Sequence, residues 1–139
     1  MKRRNKYVYS LGLVMSIFAG GCEEPPLEEV PAEVIGLWTT TAPRYADRAF
    51  EITSETVYLH QGGDLFATYG ILRSRITMHE DQEPIYSLEY RDDSADEYSW
   101  EFYVSSEEGG TIRFTNQEVI VWRRNPDADV PWKLLGGGR

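Results

Sequence analysis

The residue pattern of this 139-residue chain predicts an all-β fold, an antiparallel up-and-down meander of about eight short strands closed into a small barrel. Three observations carry that expectation. From Val34 onward apolar and polar side chains alternate with period two, as on a strand with one buried face. Short clusters of turn residues interrupt the alternation at close spacing, and no window shows a convincing helical period. A meander of this kind leaves two exposed edges unless its first and last strands meet, and closure removes them.

The first element is not a strand. Lys2, Arg3, Arg4 and Lys6 form a basic start, Tyr7 to Phe18 are mostly apolar, and Ala19-Gly20-Gly21-Cys22 closes the segment with small side chains. This is the layout of a secretory signal, and its apolar part is shorter than the roughly 20 residues needed to cross a bilayer. The small residues ending in the chain's single cysteine resemble the lipobox of bacterial lipoproteins. That resemblance implies cleavage after residue 21 and a lipid-bearing amino terminus at Cys22, and it accounts for an odd cysteine in an exported protein. Two or three acyl chains, at about 0.8 kcal/mol per buried methylene, would give a stable anchor. Glu23 after the cysteine favours the outer membrane, facing the periplasm.

Residues 22–33 then read as the lipidated cysteine and a tether, with Glu23 to Pro31 acidic and proline-rich and therefore semi-rigid. A single turn is expected over Ala32 to Ile35. Strands follow at Gly36–Thr41, Ala49–Thr53, Thr56–His60, Thr68–Met78, Ile85–Arg91, Glu97–Val104, Thr111–Thr115 and Val119–Arg123. The clearest is the sixth, where Tyr98, Trp100, Phe102 and Val104 share one face and Glu97, Ser99, Glu101 and Tyr103 the other. In the fourth the apolar face switches between Ile71 and Leu72, which predicts a bulge or bend of the kind a curving sheet needs. The barrel is thus expected over residues 34–124, and residues 125–139, with two prolines and three consecutive glycines, as a loose tail.

Gly36-Leu37-Trp38 at the head of the first strand and Arg123 after the last resemble the Gly-x-Trp pattern and C-terminal basic residue of lipocalins. The resemblance implies that Arg123, or its neighbour Arg124, covers Trp38 where the barrel closes. The chain differs from lipocalins in its shorter length, its shorter strands and the lack of a helix after the last strand.

Composition narrows the function. Loss of residues 1–21 removes four basic and no acidic residues, so a net charge of −9 becomes −13 on the remaining 118 residues. Such a surface disfavours nucleic acid, whose binding is driven by cation–phosphate contacts, and disfavours lying flat on anionic lipid. It favours solubility and attracts basic partners. With Cys22 acylated, no thiol remains for a disulfide, for catalysis or for a metal.

An eight-stranded barrel has an interior just wide enough for side chains or one small ligand. Bulky aromatics and short strands favour a filled interior here; where a cleft survives, Tyr58, Tyr69, Tyr86, Tyr98 and Trp100 are the expected walls for a small apolar ligand. His60 and His79 lack the spacing of a metal motif, so no metal or cofactor is expected. Ser54, Ser74 and Ser87 lie in no Gly-x-Ser-x-Gly elbow, and Glu107-Glu108 and Asp92-Asp93 sit in turns, so catalysis is not expected. Arg44-Tyr45-Ala46-Asp47-Arg48 is the most distinctive loop. Arg44, Tyr45 and Arg48 either form a partner-binding surface, or Asp47 pairs with an arginine while Tyr45 packs over the barrel mouth. The expectation is a monomeric, lipid-anchored, non-catalytic binding or scaffold module. It holds a small apolar ligand or, as the alternative, docks as an interaction or inhibitor module on a basic envelope protein.

Overall fold

A computed structural model describes residues 29–135 of the protein, and within them the chain forms a closed barrel of eight antiparallel strands in sequence order. The strands are β1 (Gly36–Thr39), β2 (Ala49–Ile52), β3 (Thr56–Gly62), β4 (Leu65–Thr77), β5 (Ile85–Arg91), β6 (Glu97–Ser105), β7 (Thr111–Phe114) and β8 (Trp122–Arg124). Closure is made by β8 against β1, with Trp38 opposite Arg124 and Thr39 opposite Arg123. The expected leader, Cys22 and the part of the expected tether up to residue 28 lie outside the described residues.

Alternation along each strand fills the barrel from one set of faces. Trp38, Phe50, Ile52, Val57, Leu88, Tyr90, Phe102, Ile112 and Trp122 form the buried interior. The expected change of face in β4 is real: Ile71 stands opposite Tyr90 and Arg73 opposite Glu89, so Leu72 is an extra residue and the strand bends there. At the β3–β4 turn the chain departs from expectation. The third strand runs past its expected end at His60 and the fourth starts before Thr68: Gly62 pairs with Leu65, and only Gly63-Asp64 connects the strands. Gly63 adopts φ 58°, which a tight hairpin needs and glycine adopts without strain. β8 is shorter than its apolar run suggests. Gln117 to Ile120 make a turn, and the Val121 carbonyl accepts the Thr40 hydroxyl at 2.8 Å, so pairing starts only at Trp122.

The two ends of the barrel differ. At the entry end, where the chain comes in from its amino terminus, the 3-10 turn Ala32–Val34 lies across the opening, with Val34 fully buried. Val30 also packs on the core, so ordered structure starts before residue 34 rather than at it. The far end is framed by the β1–β2 loop, the β3–β4 and β5–β6 hairpins and the β7–β8 loop.

The tail expected to be loose is docked. Val130 and Trp132 are buried, and the 3-10 turn Pro131–Leu135 lies against β4. Together they form a second core with the outward-facing Leu37 and Ala49, flanked by Tyr58, Phe66 and Ala128. Four strands therefore bury apolar side chains on both faces, and prolines and glycines in the tail did not reveal this. What orders it is the indole of Trp132, stacked on Tyr58 at 5.4 Å and donating to Glu51 Oε2 at 2.6 Å.

Candidate functional site

The barrel interior is the first place to look for a ligand, and aromatic rings fill it. Phe50 sits at the centre, with ring centroids 5.0 Å from Trp122, 5.2 Å from Trp100 and 5.7 Å from Phe114. Trp100 extends the cluster to Phe114 at 5.3 Å and to Tyr90 at 5.0 Å. Edge-to-face and tilted pairs at these distances are favourable contacts that leave no space for a molecule between the rings.

The five residues expected to wall a cleft are not brought together. Tyr69, Tyr98 and Trp100 do join through Tyr90, with Tyr69 5.1 Å and Tyr98 5.6 Å from the Tyr90 ring. Tyr86 lies toward the entry end, stacked on Phe102 and donating to Glu33 Oε1 at 2.8 Å. Tyr58 is a correction: it points outward beneath Trp132, because it falls on the face of β3 opposite the inward Val57 and Leu59. Burial raises the hydroxyl pKa of Tyr90 strongly; burial and then the Glu33 carboxylate push that of Tyr86 up to about 12. Tyr98 is raised chiefly by its hydrogen bond to Asp92. All three hydroxyls are therefore neutral at ordinary pH, and those of Tyr86 and Tyr98 donate to carboxylates. Trp122 Nε1 is buried with no hydrogen-bond partner among the described residues.

At the seam, Arg124 rather than Arg123 covers Trp38. Its guanidinium carbon lies 5.0 Å from the Trp38 ring, and Nη2 donates to the Glu33 carbonyl at 2.7 Å. Arg123 is one residue out of phase, so its side chain points away from the barrel and pairs with Glu108. The motif glycine has a steric role here: a Cβ on Gly36 would meet Arg124 Nε at 3.1 Å. Gly36-Leu37-Trp38 thus provides the ring that Arg124 covers and the space in which Arg124 lies.

At the far end Tyr45 turns inward over the mouth, 6.2 Å from Trp122, and its hydroxyl accepts from Gln117 Nε2 at 3.0 Å. Arg44 and Arg48 both lie on the Tyr45 ring, at 5.6 and 5.4 Å. Tyr45 is therefore occupied as a plug, and the arginines remain exposed beside it. The β5–β6 hairpin at the same end of the barrel gathers Asp92, Asp93, Asp96 and Glu97. Asp92 Oδ1 accepts the Ser94 and Asp96 amides, and Tyr98 donates to Asp92 Oδ2.

His60 and His79 sit at opposite ends of the barrel, on the far-end turn of β3 and in the entry-end loop after β4. His60 Nε2 is 2.6 Å from the Gly63 carbonyl, and its ring meets Trp132 edge-on. Among the described residues no three histidine, cysteine, aspartate or glutamate side chains are grouped to hold a metal.

A sizeable concavity lies outside the barrel wall. It is a groove of about 770 Å³ between the docked tail and β1–β4, with Ile35, Leu37, Tyr58, Phe66 and Trp132 on its walls and Arg124 and Lys133 at its edge. Sequence reasoning missed it because the tail that forms one wall carries no periodic signal.

The fold and seam define a small closed eight-stranded antiparallel barrel, compatible with the lipocalin-like pattern of Gly36, Trp38 and a C-terminal arginine. Comparison with protein-family models, with curated proteins and with solved structures finds no match to this chain.

Proposed function

We propose that this protein is a lipid-anchored envelope lipoprotein whose barrel is a non-catalytic docking module for a basic protein partner. The lipobox-like Ala19-Gly20-Gly21-Cys22 supports removal of residues 1–21 and acylation of Cys22, and hence an outer-membrane position facing the periplasm. The observation that carries the docking role is the interior packed with rings around Phe50. A barrel without room for a ligand works through its surface. The end opposite the incoming chain presents the acidic Asp92–Glu97 hairpin, the part best held toward a partner by a tether at the entry end.

Two measurements test this. Intact-mass analysis of material from the native host is expected to show a chain beginning at Cys22 with a thioether-linked diacylglycerol; an unmodified thiol or a retained leader refutes the anchoring. Crosslinking in intact cells is expected to capture a basic envelope protein whose recovery falls as ionic strength rises past about 0.15 M, where the Debye length is about 8 Å. Capture that is indifferent to salt refutes the charge-driven docking.

The outer groove favours a second reading, in which a small apolar ligand is held against the barrel wall under the tail. Its volume of about 770 Å³ is within the 300–1,000 Å³ typical of ligand sites. Saturable uptake of an apolar fluorescent probe that Thr56→Trp blocks, and that salt does not affect, would select it over docking.

A further inference from the structure

The barrel is closed at its entry end but leaves one strand edge open at the far end. β6 spans Glu97–Ser105, whereas β7 pairs only with Phe102 to Ser105. The last rung beyond that pairing is the Thr115 amide donating to the Glu101 carbonyl at 3.0 Å. In an antiparallel strand the N–H and C=O of one residue point to the same side, and that side alternates along the chain. Glu101 points toward β7, so Ser99 and Glu97 do too, and β5–β6 pairing runs through this stretch without a shift of register. Among the described residues no main-chain hydrogen bond continues the ladder to Ser99 or Glu97. Instead a notch of about 250 Å³ opens there, lined by Ser99, Trp100, Glu101, Phe114, Thr115 and Asn116.

We infer that this notch is a strand-addition site, in which an extended segment of a partner pairs with Glu97–Trp100 of β6 and completes the barrel wall. An unpaired edge offers a ready-made ladder, and β-augmentation takes its affinity from main-chain bonds and its specificity from alternate side chains. The chemistry of β6 says which side chains. Glu97, Ser99 and Glu101 face outward and are exposed, so the outward positions of the incoming strand are lysine or arginine. Tyr98 and Trp100 are on the inward face, with Tyr98 43% exposed and Trp100 half-buried, so the inward positions are apolar and cover them. The neighbouring Asp92, Asp93 and Asp96 extend the acidic flank along the same hairpin. The partner is thus a segment of alternating basic and apolar residues, and the inference rests on the reading of the barrel as a docking module for a basic protein.

The test uses the purified full-length chain and a blocked hexapeptide of alternating lysine and valine. Saturating peptide is expected to slow hydrogen exchange at the Ser99 and Glu97 amides by tenfold or more. A version N-methylated at every second residue, equal in charge but unable to donate to the edge, is expected to bind at least tenfold more weakly. Ser99→Pro, which removes an N–H that points away from β5, is expected to abolish binding; the double variant Glu97→Lys with Glu101→Lys weakens it without touching the backbone. Equal binding of the methylated peptide, unchanged Ser99 exchange in the bound state, or no binding at millimolar peptide each overturns strand addition. Each leaves intact any basic partner recovered by crosslinking in cells, which would then dock elsewhere on the acidic surface.

Discussion

Replacing Trp132 by alanine separates a docked tail from a loose one. Trp132 is 6% exposed, stacks on Tyr58, meets Phe66 at 5.8 Å and donates to Glu51. Truncating a buried tryptophan to alanine costs about 3–5 kcal/mol, the lost transfer energy plus the cavity left between Val130, Leu37 and Ala49. The whole domain is stable by about 5–15 kcal/mol, so this one side chain outside the barrel accounts for a large share. With about 4 °C per kcal/mol for a domain of this size, Trp132→Ala is expected to lower Tm by about 12–20 °C. Trp132→Phe keeps most of the stacking but leaves the Glu51 carboxylate without the indole donor, and is expected to cost about 1.5–3 kcal/mol. Urea unfolding followed by far-ultraviolet circular dichroism gives both values, and an unchanged m-value would show that the same surface is exposed on unfolding. A loss below about 1 kcal/mol for Trp132→Ala would refute the second core, since a side chain on a loose tail contributes almost nothing to the native state.

Other outcomes follow from the seam, the interior and the tyrosines. Arg124→Ala is expected to cost about 1–2 kcal/mol, from the contact over Trp38 and the Glu33 carbonyl bond, whereas Arg123→Ala stays within about 1 kcal/mol because its Glu108 pair is exposed; the reverse order in urea melts would reassign the lid. Phe50→Ala is expected to destabilise by about 3–5 kcal/mol and to create a dry cavity that takes up benzene-sized probes, which the native barrel excludes; equal probe uptake by the native protein would show an interior less filled than described. Tyr86 binds its proton more tightly folded, at about 12, than unfolded, at 10.0. Its stabilising contribution is therefore complete below about pH 10 and is lost as pH rises toward 12. Tyr86→Phe is expected to flatten the fall of Tm across that window, and an unaltered slope would refute the assignment.

Much of the barrel was legible because strand alternation is a local signal. Tyr98-Ser99-Trp100-Glu101-Phe102 can bury one face only as a strand, and the switch at Ile71 and Leu72 marks its own bulge. The candidate site was less legible. Tyr58 looked equivalent to Tyr69 and Tyr86, yet it lies on the outer face, and nothing around it says that a second core waits there. Arg123 and Arg124 were both offered for the lid. One residue of phase in β8 decides between them, and that phase is set by pairing with β1 across 86 residues of chain, from Trp38 to Arg124. The open edge of β6 was invisible because it depends on the length of another strand, β7.

The alternating pattern, the turn residues and the charge by themselves determined an all-β meander, its strand order, the position of its bulge and the acidity of its surface, since each follows from neighbours a few residues apart. Tertiary structure alone decided that the tail seals one wall, that Arg124 rather than Arg123 closes the seam and that β6 runs on past its partner. These depend on which distant side chains come to share one volume, and a period-two pattern says which face is buried without saying against what.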